Sequence, residues 1–254
     1  VQLGLEVSQK TMLSQLIEFQ VGAGAFYCLE ELPSHLPNGK AIVFLHGLGE
    51  NRSGLNYLFH EMSERFTSDG FAVYRFDLAG CGESSLPLLF QVWQEQLAVV
   101  VNYLEKYQAV HLIARGVSSY LLPKYQTGNI AIGPIVAHYF CEQYPQIPVE
   151  QHEKVWIPQT DASCNLERDY FWFGLGVEAG CLGGFYLTKE FLIELEQAIF
   201  PIPKEWSVIY SGKHWPHSLP SWAHLLSECH PLFVYQDDRA VLYNKLTGLL
   251  NAST

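Results

Sequence analysis

The chemistry-bearing residues of this 254-residue chain gather in four stretches. His46-Gly47-Leu48-Gly49-Glu50 and Asp77-Leu78-Ala79-Gly80-Cys81-Gly82-Glu83-Ser84 are glycine-rich loops. Glycine lets the backbone turn sharply and bring its N–H groups close to a ligand. Arg115-Gly116-Val117-Ser118-Ser119 offers a guanidinium and two hydroxyls, and a hydroxyl becomes a nucleophile only beside a base. His214, His217, His224, Cys229 and His230 make a histidine-rich tract. Pro216 separates the first two and argues against a shared helix face, and no HExxH occurs. No metal and no cofactor are expected, and aromatic packing and surface histidines account for the tract. Cys81 sits in the second loop, where a reactive thiol would need a nearby base or positive field.

The elements that must position these residues follow from the apolar pattern. The first 40 residues read as one or two antiparallel strands and a turn at PNGK. Lys40–Leu45, FAVYRFD at 71–77 and AVHLIA at 109–114 read as buried strands. NIAIGPI around 129–135 predicts a fourth. Helical periodicity predicts helices over 55–68, stopped by Asp69-Gly70, and over 90–107. From about 136 to 200 the pattern loosens, with prolines, glycines and the aromatic run Tyr170-Phe171-Trp172-Phe173. It resumes with a strand at 206–212, a helix near SWAHLLSE, a strand PLFVYQ at 231–236 and a last helix AVLYNKLTGLL. Strands alternating with helices imply an α/β fold, a mostly parallel, doubly wound sheet covered on both faces. Both glycine loops leave the carboxyl edge of that sheet, where ligands usually bind.

The two loops, their order, and the helix and strand between them resemble the α/β-hydrolase superfamily, most closely its serine aminopeptidase-like and acyl-hydrolase-like branch. The resemblance covers roughly residues 35–250. It implies a core over 1–135 and 201–254 with a cap inserted at 136–200. It also implies that His46, Gly47 and Leu48 shape a loop supplying one oxyanion-hole amide, with Arg115 and Val117 flanking the same pocket.

The catalytic positions depart from the pattern. The superfamily's G-x-S-x-G elbow follows the third buried strand. The small-x-nucleophile-x-small spacing here is Ala114-Arg115-Gly116-Val117-Ser118, so glycine stands at the nucleophile position. A shifted reading makes Ser118 the nucleophile, at the cost of Tyr120 where close packing wants a small side chain. Ser119 is a weaker alternative, and both serines also read as helix caps. The acid position, four residues into Gly212-Lys213-His214-Trp215, carries Trp215. The base position after the last expected strand carries Arg239, because no histidine lies beyond His230, which begins that strand. Arg115 and Arg239 can bind a ligand carboxylate or pair with Asp237 or Asp238.

Composition narrows the partners. With 26 acidic and 15 basic residues the net charge is −11, which argues against nucleic acid and anionic membranes. No apolar stretch is long enough to span a bilayer. The first 20 residues lack the apolar core of a secretory signal, so the cytoplasm is the expected compartment. The six cysteines include no CxxC pair and read as free thiols. Charged residues are only 16% of the chain, which favours buried contacts for part of the surface. The expected function is a non-catalytic binding or structural subunit, a pseudo-hydrolase with a protein partner or a second copy of itself, and room for an apolar small molecule. The alternative is an enzyme using the same pocket, either a serine hydrolase through Ser118 or a non-hydrolytic catalyst.

Overall fold

The computed structural model describes residues 13–124, 128–134, 154–156, 186–212, 219–230 and 232–252. β1 (Leu13–Val21) and β2 (Gly24–Leu32) form an antiparallel hairpin. β3 (Lys40–Leu45), β4 (Ala72–Phe76), β5 (Ala109–Arg115) and β6 (Ile130–Ile132) follow. β7 (Lys154–Trp156) and β8 (Tyr186–Thr188) pair with each other, outside the main sheet. β9 (Ser207–Ser211) and β10 (His224–Leu226) complete an eight-stranded sheet of order β1-β2-β4-β3-β5-β6-β9-β10. Every pairing from β4 to β10 is parallel, as the alternating pattern predicts.

Strand alternation assigns the two faces. Ala41, Val43, Leu45, Tyr74, Phe76, Leu112 and Ala114 face one core cluster. Trp93, Leu97 and Val100 of α2 (Phe90–Tyr103) fill the same cluster. Ile42, Phe44, Val73 and Ile113 face the other. It is filled by Leu58, Phe59, Met62 and Phe66 of α1 (Leu58–Ser68) and by Leu242, Leu246 and Leu250 of α4 (Gln236–Ala252). The 3.6-residue period puts such side chains on one helix face. α3 (Lys189–Ala198) lies between β8 and β9. Its Phe191 packs on Phe90 and Trp93, with ring centroids 6.2 and 4.9 Å apart. Its Glu194 Oε2 accepts the Gln91 N–H at 3.0 Å, at the N-terminus of α2.

The structure corrects two predicted elements. The helix expected over 55–68 begins as a separate 3-10 turn, Leu55–Tyr57, with Asn56 and Tyr57 in left-handed backbone at φ +50° and +62°. More consequentially, the last strand is His224–Leu226, inside the stretch read as a helix, and β10 runs parallel to β9. The stretch read as strand PLFVYQ holds a turn instead. Phe233 N–H donates to His230 O at 2.8 Å, and Phe233 itself is left-handed at φ +48°. The aromatic run at 170–173 lies outside the described residues. Among the described residues no helix is long and apolar enough to cross a membrane.

Burial makes two histidines pH-sensitive. His46 and His111 are 0% and 4% exposed. Burial holds both rings below their ordinary value, with Lys40 adding to the effect at His111. The unfolded chain therefore binds protons that the folded chain refuses. Stability is full above the ordinary histidine value of about 6.5 and is lost as pH falls below it. Urea unfolding between about pH 8 and about pH 5 should show the midpoint falling with acidity. His111→Phe should flatten part of that fall.

Candidate functional site

β3, β4 and β5 deliver three loops side by side to the carboxyl edge, because their parallel register sets Leu45 beside Ala114 and Phe44 beside Arg75. The loop after β3 is organised by His46. Its Nε2 accepts the Leu78 N–H at 2.9 Å, so the neutral ring carries its proton on Nδ1 and donates it to Gly47 O at 2.7 Å. The imidazole that opens this loop is thus a strut between two loops. Glu50 folds back over the turn. Its N–H donates to Gly47 O at 3.1 Å, and its Oε2 accepts the Gly47 N–H at 3.1 Å.

The loop after β4 hangs on Asp77. Asp77 Oδ1 accepts the Arg52 N–H at 2.6 Å, and Oδ2 accepts Arg52 Nη1 at 2.6 Å and the Glu83 N–H at 3.0 Å. α2 holds the next residues. Gln96 Oε1 accepts the Ala79 N–H at 2.8 Å, and Trp93 Nε1–H donates to Ala79 O at 2.8 Å. Gly80 and Gly82 are required by space as well as by φ. A Cβ at Gly82 would lie 2.4 Å from Asp77 Cγ, and one at Gly80 would lie 2.4 Å from Leu88 Cβ. Cys81 is buried between these loops, and burial pushes its thiol up to about 12. It is therefore protonated at neutral pH, the form in which a thiol is least reactive.

The loop after β5 is the elbow. Arg115 ends the strand in extended backbone, and Gly116 turns at φ +61°, in the left-handed region. A buried 3-10 helix, Gly116–Leu121, follows. Ser118 is 0% exposed. Its Oγ accepts the Arg115 N–H at 3.2 Å and lies 3.0 Å from Leu45 O and 2.9 Å from Arg115 O, either of which takes its proton. Ser118 ties the turn to β3. Ser119 and Val117 are each 1% exposed, and Leu48 is fully buried.

Arg115 pairs with Glu50, not with Asp237 or Asp238. Its guanidinium Nη1 meets Glu50 Oε1, and both side chains are more than nine-tenths buried. One carboxylate therefore binds the first loop's Gly47 amide with one oxygen and the elbow's arginine with the other. A Cβ on Gly47 would stand 2.6 Å from Glu50 Oε1, so glycine there makes room for the pair. Composition gave no signal for this contact. The parallel pairing of β3 with β5 did, since it forces residue 115 against residues 46–50.

The corrected last strand changes the fourth loop. Residues 227–230 and 232–235 follow β10 at the same carboxyl edge, so this loop holds His230, and Arg239 lies within α4. Arg239 is a structural clamp. Its Nε donates to Phe233 O at 2.8 Å, Nη1 to Glu61 Oε2 at 2.7 Å and Nη2 to Asn56 O at 2.7 Å. His230 accepts the Leu232 N–H on Nδ1 at 3.2 Å, and its backbone N–H donates to Asp238 Oδ2 at 2.8 Å. With Nδ1 accepting, the neutral ring carries its proton on Nε2. A triad histidine is the reverse tautomer, with Nδ1–H oriented by an acid and Nε2 receiving the proton. His224 opens β10, half-buried, and Cys229 is buried in the second core cluster. Trp215, His214 and His217 lie outside the described residues.

The Glu50–Arg115 pair predicts a non-additive mutant cycle. Arg115→Met alone leaves a buried carboxylate unpaired and should cost about 3 kcal/mol. Adding Glu50→Gln should cost less than the sum of the two single changes, because the second charge no longer needs a partner. Urea unfolding of the three variants measures both.

No protein-family model and no curated protein matches the chain. Solved structures do. Mouse alpha/beta hydrolase domain-containing protein 10 superimposes with a TM-score of 0.63 at 14% identity, covering 94% of this chain and 100% of that one. A thermostable carboxyl esterase from Bacillus coagulans gives 0.63 at 15% identity, covering 96% and 99%. A soluble variant of monoglyceride lipase from Saccharomyces cerevisiae gives 0.63 at 14% identity, covering 97% of each chain. At these identities the likeness is one of architecture, and it agrees with the strand order: the chain has the α/β-hydrolase fold, with an insertion between β6 and β9.

Proposed function

We propose that this chain works by binding at the carboxyl edge of its sheet, without covalent acyl transfer. The observation that carries the reading is the elbow itself. Its tip is Gly116, which has no side chain, and the neighbouring Ser118 hydroxyl is buried and committed to backbone partners. Other features support it. The Glu50–Arg115 pair occupies the space between the first loop and the elbow with this chain's own charges. His230 is held in the tautomer that donates from Nε2. Loss of triad members costs several orders of magnitude in rate, so glycine at the tip removes ordinary esterase turnover. The acidic chain favours a protein or an uncharged small molecule over nucleic acid as what is bound.

A second reading is favoured by the position of His230 and by the names of the structural neighbours, an esterase and a lipase. A histidine that follows the last strand at the carboxyl edge can polarise a bound molecule by donating a hydrogen bond from Nε2. The chain would then be a catalyst without a covalent intermediate.

A fluorophosphonate probe separates these readings from serine hydrolysis. The purified protein should remain unlabelled over hours. Stoichiometric labelling that disappears in Ser118→Ala would overturn the proposal. Gly116→Ser returns a hydroxyl to the tip and should also stay unlabelled, while losing about 1 kcal/mol of stability to the left-handed backbone. Rapid labelling of that variant would mean that a working base survives beside the tip, and would overturn the proposal.

A further inference from the structure

β1 is an outer strand of nine residues, and no described residue pairs with its free edge. It pairs with β2 at every position from Leu13↔Leu32 to Val21↔Gly24, without a bulge. Its sequence, LSQLIEFQV, holds no proline, no lysine and one charge, Glu18. Leu13 and Leu16 are 62% and 59% exposed. Sheets protect free edges with short strands, proline, lysine or bulges, because an open row of N–H and C=O groups recruits another strand. The opposite edge follows that practice, since β10 has only three residues. β1 uses none of these devices.

The hairpin fixes which groups face outward. Gly22 and Ala23 form a two-residue turn, so Val21 and Gly24 make a hydrogen-bonded pair. Pair type alternates along an antiparallel ladder, so Ser14, Leu16, Glu18 and Gln20 turn their N–H and C=O groups to the free edge. We propose that β1 pairs antiparallel with β1 of a second copy of this chain, about a two-fold axis through Ile17. Ser14 then faces Gln20 of the copy and Leu16 faces its Glu18, each residue bringing outward groups. Ile17 meets Ile17, and Leu13 meets Val21, on the face that carries α2. A shift of one residue sets outward groups against inward ones. A shift of two shortens the ladder, and in one direction opposes Glu18 to Glu18. The full-length register is therefore self-complementary in hydrogen bonding, brings Ile17 to Ile17 and Leu13 to Val21, and keeps the two Glu18 carboxylates from direct opposition. It is isologous, as a two-fold dimer requires.

This inference is independent of what the elbow binds, and its test is the oligomeric state. Sedimentation equilibrium of the purified chain should show a dimer at tens of micromolar. The dimer should tighten with added salt, because each copy carries a charge of −11 that salt screens. Leu16→Glu sets a carboxylate opposite the copy's Glu18 and should weaken the dimer at least about tenfold. Adding Glu18→Lys should restore it by placing Lys opposite Glu. Leu225→Lys, on the other edge, should change nothing. Circular dichroism and thermal melting confirm that each variant is folded, as the exposure of Leu16 leads one to expect. A wild-type chain that stays monomeric, or a dimer indifferent to Leu16→Glu, would overturn the proposal. Weakening by Leu16→Glu without rescue by Glu18→Lys would overturn the register.

Discussion

Asp77 is 4% exposed and sits where β4 leaves the sheet. A carboxylate taken that far out of water must be fully paired, or it destabilises the fold by several kcal/mol. Its partners come from two different loops: the backbone and guanidinium of Arg52 on one side, and the Glu83 amide on the other. That requirement fixes the relative position of the loops after β3 and β4. Arg75, one turn of the pleat earlier, extends the same logic. It holds Glu31 bidentately at 2.8 and 2.9 Å and donates to Arg52 O at 3.1 Å. The neutral strut of His46 to Leu78 then closes the gap between the loops. The loops after β3 and β4, including the Gly47 amide that donates to Glu50, are positioned against this charged frame.

Much of the fold was legible because it is local. β3, β4 and β5 are short apolar runs, and α1 and α2 show their apolar faces at helical spacing. The hairpin β1–β2 and the stop at Asp69-Gly70 are equally direct, with Gly70 at φ +91°. The last strand was not legible. β10 is three residues long and half-exposed, so it has no apolar run, and the surrounding SWAHLLSE spaces its apolar residues as a helix does. PLFVYQ has the composition of a strand, yet two amides in it turn back to His230 and Phe233 enters the left-handed region. Tertiary contact overrides propensity there. With the last strand at His224–Leu226, His230 falls in the loop after it and not at a strand's beginning.

At the site, the glycine at 116 could be read from spacing alone. The fates of Ser118 and Arg115 could not. A buried serine and a cap serine have the same letter, and only the approach of Leu45 O shows what the hydroxyl holds. Arg115 had two carboxylates offered to it by sequence nearness to other motifs, and neither is the one it takes. Arg239 likewise answers a need invisible in sequence. Its guanidinium collects the carbonyls of Asn56 and Phe233, two of the four non-glycine residues described with left-handed backbone, and Tyr57 is a third. Strained turns persist only where such contacts over-determine them.

Gly116 also alters the stability ledger of the whole chain. In a working serine hydrolase the reactive residue occupies the left-handed tip, and the fold must hold a strained side-chain-bearing residue there as the cost of reactivity. Glycine adopts φ +61° freely. The usual trade between stability and activity is therefore relaxed at this corner. Among the described residues, left-handed strain lies elsewhere, at the exposed Leu36 and at Asn56, Tyr57 and Phe233 around the Arg239 clamp. The backbone is at ease at Gly116 and held under constraint in the turns that Arg239 clamps.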